Sequence, residues 1–219
     1  MREEVQALKI VRLFQKAKWV FLVMLAVYIL GFGVGFAAVK LKHADLNQVR
    51  SMKVYELNRN LEYKVPGYGS LLQKYKNWER QTLFRYLFKG RVVKAMFTTF
   101  FNNWVVANLT MIVRALFLVP MILYPFGRFL QGMMFAQTAV SYQAWGMLIC
   151  EFGGYFLTIC GTLAAVFWTL FYKSFGFSTR KQAFGSGLKF FGLMYFVSAF
   201  FILFGSYIET MFVLGMTLS

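Results

Sequence analysis

Three charged residues and two adjacent amides stand where polar groups are out of place. Arg114, Glu151 and Glu209 lie inside long apolar stretches, and Asn102 and Asn103 sit at the start of one of them. Asn108, Gln131 and Gln137 add further amides to the same stretches. A charge at the centre of a bilayer costs about 2.5–3.5 kcal/mol on insertion scales, so such a residue finds a partner or water. Two uses fit these residue types. One is structural: Glu151 and Arg114 as a helix-pinning ion pair, Glu209 as an interfacial carboxylate, and the asparagines as hydrogen-bonding glue between helices. The other is a polar cavity for an ion, a lipid headgroup or a partner peptide.

The chemistry that is missing narrows the function. His43 is the only histidine and Asp45 the only aspartate. A metal site with several histidine ligands cannot form, nor can a pair of aspartates sharing one proton. A Ser–His nucleophile would have to use His43, far from Gly185-Ser186-Gly187. Gly31-Phe32-Gly33-Val34-Gly35 lacks the Lys-Ser/Thr ending of a phosphate-binding loop. The expectation is therefore no enzyme, no metal and no cofactor, with any energy supplied by a partner or an ion gradient.

The elements that position these residues follow from where charge is absent. The 219 residues are 59% hydrophobic and 15% charged, which deviates from a soluble domain toward the membrane class. Residues 19–39 carry no charge, and residues 96–172 carry only Arg114, Arg128 and Glu151. A spanning helix needs about 20 apolar residues. The reading is an all-α, polytopic transmembrane bundle of about five spans. It comprises a basic tail (1–18), a first span (19–39), a basic polar segment with an interfacial amphipathic helix (40–97), and a transmembrane bundle (98–219). Within the last part, spans are expected at about 98–123, 128–146, 147–172 and 190–210. Breaks fall at Pro120, at Tyr124–Arg128 and near Ser141–Gly146. The first span is too long and too poorly closed for a cleavable signal sequence. Gly31 and Gly35 have small-xxx-small spacing and read as a helix-packing face, as do Gly153 and Gly154. Cys150 and Cys160, ten residues apart on one helix, are out of disulfide reach.

The net charge is +16. The basic residues border the apolar runs, which suits anionic headgroups and not nucleic acid. Ser70–Lys94 places Leu71, Leu72, Tyr75, Trp78, Leu83, Tyr86 and Leu87 toward one side at helical pitch, with Lys74, Arg80 and Arg85 away from most of them and Phe84 outside the arc. Glu79 breaks this pattern by falling inside the apolar arc. Trp78, Arg85, Lys89, Arg91 and Lys94, together with Arg180 and Lys181, are the candidates for binding partners or headgroups. A cytoplasmic N-terminus puts the tail and the 173–189 segment inside, as the positive-inside rule prefers. It leaves the 40–94 segment, with thirteen Lys/Arg, outside.

At Phe101-Asn102-Asn103 the sequence resembles the stage II sporulation protein M family of bacterial membrane proteins, whose hydrophobic block opens on asparagines. Gly127–Gly132 is similar to that family's Gly-aromatic-small-Gly element. Gly146–Glu151 stands where the family carries an intramembrane glutamate, and Tyr207-Ile208-Glu209-Thr210 echoes its terminal glutamate motif. The family's histidine before the first glutamate is absent, with Trp145 in that neighbourhood. The resemblance implies a non-enzymatic, multi-pass component of the bacterial inner membrane that anchors peptidoglycan-remodelling partners. Two functions are thus expected. One is a scaffold for membrane or envelope proteins. The other is a permease subunit energised by a separate ATPase docked at residues 173–189. Either allows a homo-oligomer or a hetero-complex.

Overall fold

The computed structural model describes residues 2–41, 68–116, 120–137 and 142–218. The Pro66-Gly67 turn, His43 and Asp45 lie outside the described residues. Among the described residues every regular element is helical, as expected where a backbone must satisfy its own hydrogen bonds without water. In chain order these are α1 (Arg2–Lys40), α2 (Tyr68–Phe88), α3, α4 (Pro120–Gln137), α5 (Tyr142–Leu170) and α6 (Arg180–Leu218). Helix α3 is one rod made of Val92–Phe101, a π-helical turn Asn102–Ala107, and Asn108–Leu116. Among the described residues, three helical stretches are long and apolar enough to cross a membrane: Ile10–Lys40, Leu148–Leu170 and Arg180–Leu214. By length and composition this is a helical membrane protein.

The element boundaries differ from the charge-based expectation in instructive ways. The basic tail and first span form one helix, about 58 Å long at 1.5 Å per residue. Nothing between Lys9 and Trp19 stops a helix, because Lys, Arg, Gln and Ala are all good helix formers. Pro120 begins α4, where its missing N–H costs nothing. Pro125, expected to break the chain, lies inside α4 and removes a single internal hydrogen bond. The final helix starts ten residues before the expected span, at Arg180. Its start is capped by Thr179, whose Oγ1 accepts from the Gln182 N–H at 3.1 Å.

Ring and glycine contacts fix the directions of the helices. Phe21 meets Phe156, Tyr28 meets Phe152, and Phe32 meets Trp145, so α1 and α5 run antiparallel. Gly161 lies against Met194, Gly153 against Phe201 and Gly146 against Ile208, so α5 and α6 form an antiparallel hairpin. Its turn closes on Gly176, at φ 68°, with Phe177 N–H donating to Tyr172 O at 2.9 Å. Lys16 Nζ donates to Phe175 O and lies 4.1 Å from the Phe177 ring centroid. The Lys16 end of α1 and the 171–179 turn therefore share one end of the bundle.

The opposite end carries Lys40, the start of α3 and the end of α6. Helix α2 packs on α3 there. It ends in a Schellman turn at Gly90 (φ 65°), with Arg91 N–H donating to Tyr86 O. The main core lies between α1, α5 and α6, around Trp168, Phe190, Met24 and Leu163. Helix α4 runs parallel to α1, in a seam where Gly35 abuts Phe129 O and Gly132 abuts Phe32 O. A Cβ at either glycine would overlap that backbone.

Candidate functional site

The polar residues gather at the Lys40 end, where α2, α3 and α6 meet. Asn103 Nδ2 donates to Glu209 Oε2 at 3.3 Å, and Asn102 Nδ2 donates to Asn103 Oδ1 at 3.3 Å. One helical turn-and-a-half further along, Asn108 Nδ2 donates to Ser198 Oγ at 3.3 Å. In a regular α-helix residues 103 and 108 would point about 140° apart. The π-helical turn between them, in which Asn108 N–H reaches back to Asn103 O, lets both amides face α6. Trp104 and Tyr195 lock the same interface. The indole N–H donates to Tyr195 O at 3.2 Å, the phenol donates to Trp104 O at 3.1 Å, and the rings stack at 5.2 Å.

Glu79 joins the cluster from α2. Burial, and next the neighbouring Glu209 carboxylate, push its carboxyl up to about 7, while Lys76 pulls it back. The Tyr75 phenol, one turn earlier, is raised by burial and by Glu79. Two glutamates from different helices thus lie close enough to repel. Glu79 breaks the apolar arc of α2 because that position faces the bundle and not the solvent.

Three hydroxyls extend the cluster. Thr99 lies one turn before Asn103, and Ser206 and Thr210 flank Glu209 on α6. They are 2%, 0% and 1% exposed, and their oxygens have no hydrogen-bond partner among the described residues. Four other described threonines satisfy their hydroxyls within their own helix. Thr98, Thr158, Thr162 and Thr169 each donate to the carbonyl four residues back. The end of the bundle that holds the two glutamates therefore also holds spare hydroxyl capacity.

The remaining expected residues lie elsewhere. Arg114 is on the last turn of α3, about 16 Å along the helix from Asn103, so it is not part of this cluster. Glu151 belongs to α5, but its side chain lies outside the described residues, and so does the expected Glu151–Arg114 pair. Gly31 packs against Pro125 O and the Arg128 Cβ, Gly35 against Phe129, Gly153 against Phe201, and Gly154 against Ile202 and Ser198 O. Arg180 and Lys181 are exposed at the other end of the bundle, with Arg180 5.9 Å from the Tyr172 ring centroid. Trp78, Arg85, Lys89, Arg91 and Lys94 are all exposed at the Lys40 end. Spacing alone does not single out Thr99, Ser206 or Thr210. The only sequence signal for Glu79 is its misfit in the helical pattern.

Between α3, α5 and α6 a cavity of about 370 Å³ is lined by apolar side chains and by Thr162 and Thr169. The chain matches no protein-family model, no curated protein and no solved structure.

Proposed function

We propose that this protein is a non-catalytic, multi-pass subunit of a bacterial inner-membrane complex that anchors envelope proteins through α2. The observation that carries this reading is the two-sidedness of α2. One side seats on the bundle: Leu87 is buried, and Tyr75, Glu79, Leu83 and Tyr86 are half-buried. Trp78, expected on the apolar side of this helix, instead lies on the other, 56% exposed and on the same side as exposed Lys74, Arg85 and Lys89. An exposed aromatic ringed by cations is the composition of a docking surface for an acidic partner. The glycine-interlocked seams of α1 with α4 and of α5 with α6 favour a rigid platform over a rocking carrier. The motif resemblance to the stage II sporulation protein M family points the same way.

In this reading α1, α3, α4, α5 and α6 are five spans and α2 lies in the interface. The Lys16 end, with Lys18, Lys173, Arg180 and Lys181, faces the cytoplasm. Neutralising Lys74, Arg85 and Lys89 together in the tagged full chain tests the idea. Envelope proteins that co-purify with the wild type from native membranes should be lost from the variant, at equal yield of folded protein. Unchanged co-purification overturns the docking role of α2.

A second reading, a permease subunit served by a separate ATPase at the 173–189 segment, is favoured by one observation. The Glu79–Glu209 pair and its spare hydroxyls resemble the groups that hold a coupling ion. That reading requires a cytoplasmic ATPase among the co-purifying proteins, and transport lost on Glu209→Gln with folding intact.

A further inference from the structure

The cavity of about 370 Å³ between α3, α5 and α6 is a groove that runs toward the Lys16 end of the bundle. Along α5 it extends from Thr162 to Leu170, the last residue of that helix. Along α6 it extends from Phe191 back to Phe184, in the second helical turn. Leu116, Leu170, Phe184 and Leu188 on its rim are each more than half exposed, so it opens sideways. Its two threonines have no spare donor. Thr162 donates its hydroxyl to Thr158 O at 2.8 Å, and Thr169 donates to Ala165 O at 2.7 Å. A groove of this size whose polar groups are already satisfied suits a hydrocarbon chain and not a polar ligand.

The helical stripes that wall the groove continue into cations. At about 100° per residue, Lys173 falls in line with Thr162, Val166 and Thr169. The helical turn prolongs α5 to that point, with Phe171 N–H donating to Phe167 O and Phe175 N–H to Phe171 O. On α6, Arg180 and Lys181 flank the line of Phe184, Leu188 and Phe191 at the same pitch. All three cations are exposed, and Lys173 and Arg180 lie 6.0 and 5.9 Å from the Tyr172 ring centroid. The carboxylates of α3, α5 and α6 are Glu151 and Glu209 alone, both beyond the far end of the groove. Like charges gathered at the mouth of an apolar groove attract an anion there. Thr162 to Lys173 spans about 16 Å of helix, close to the ~15 Å of hydrocarbon in one leaflet.

We propose that this groove binds one anionic phospholipid, as phosphatidylglycerol, from the leaflet at the Lys16 end. One acyl chain lies between α5 and α6 and reaches Thr162 and Phe191. The phosphate lies among Lys173, Arg180 and Lys181 at headgroup level, where basic side chains past a helix end meet anionic lipid. Phosphatidylethanolamine brings an ammonium into the same cluster and binds less tightly. The site is independent of the partner surface on α2, which lies at the other end of the bundle.

The test uses the full chain purified in mild detergent and delipidated. It is titrated with dioleoyl phosphatidylglycerol or dioleoyl phosphatidylethanolamine, and bound lipid is counted by native mass spectrometry. The wild type binds phosphatidylglycerol more tightly. K173Q/K181Q changes two exposed positions and keeps the thermal midpoint of the delipidated wild type. It binds phosphatidylglycerol about thirtyfold more weakly, from about fivefold for each lysine near the surface. V166W leaves the cations in place, fills the groove and weakens the same binding; the double variant decides the matter if V166W folds poorly. Phosphatidylglycerol with a photoreactive diazirine near the end of one chain labels residues 162–170 and 184–191. Equal affinity of the wild type for the two lipids, unchanged binding by K173Q/K181Q, or labelling confined to other helix faces overturns the proposal. A soluble protein lost from K173Q/K181Q with lipid binding unchanged assigns the cations to a protein partner and overturns it too.

Discussion

Asn103 and Glu209, 106 positions apart, are joined by an amide–carboxylate hydrogen bond of 3.3 Å that ties α3 to α6. The bond exists because a π-helical turn starts at Asn102 and aims two amides at one neighbour. A hydrogen bond between membrane helices is worth about 0.6–1.7 kcal/mol in double-mutant cycles. Asn103→Ala should therefore cost about 1 kcal/mol. In a cycle with Glu209→Gln the two losses should be less than additive, read from reversible unfolding in mixed micelles. Full additivity would mean that the two side chains do not interact.

Glu79 makes the Lys40 end of the bundle sensitive to pH. Its carboxyl titrates near 7 in the folded chain against 4.5 ordinarily, through burial first and Glu209 second. Between those values the folded chain holds a proton that the unfolded chain has released, so stability falls as pH rises through this window and levels off above it. The groups that set the effect are Glu209 on α6 and Lys76 on α2 itself. Thermal midpoints of the wild type should decline from about pH 5 to about pH 7.5. Those of Glu79→Gln should decline less and exceed the wild type at the alkaline end. Parallel curves for the two proteins would contradict this assignment.

Glycine at the α1–α4 seam is required by space. At Gly35 a Cβ would overlap Phe129 O, and at Gly132 it would overlap Phe32 O. Gly35→Leu should separate the helices and cost about 1–3 kcal/mol or more, the range for overpacking. Gly192, where a Cβ meets nothing within 4 Å, should accept leucine with little change. The comparison is made by thermal unfolding of the three proteins, and equal midpoints would contradict the seam.

The membrane class was legible from the charge-free runs, because a bilayer constrains composition before it constrains anything else. The separation of tail from span was not, because Lys and Arg end an apolar run without ending a helix. Pro125 misleads in the same way: a proline near a helix start removes little, so α4 continues through it. Half of the polar cluster, Asn102, Asn103, Asn108 and Glu209, was visible as polarity in apolar surroundings. The rest was not. Thr99, Ser206 and Thr210 look like ordinary small helix residues until their hydroxyls are seen to lack the usual back-bond. Glu79 lies in a segment that reads as surface, and only the docking of α2 brings it to Glu209.

The central claim is that the outer face of α2 holds a protein partner. The most direct measurement places a photo-crosslinking amino acid at Trp78 of the full chain in its native membrane. A matched probe goes at Leu87, which is buried. Irradiation at position 78 should give a discrete higher-mass adduct containing an envelope protein, and position 87 should give only internal links. Lipid adducts alone at position 78 would contradict the account and leave α2 a membrane-surface helix without a partner.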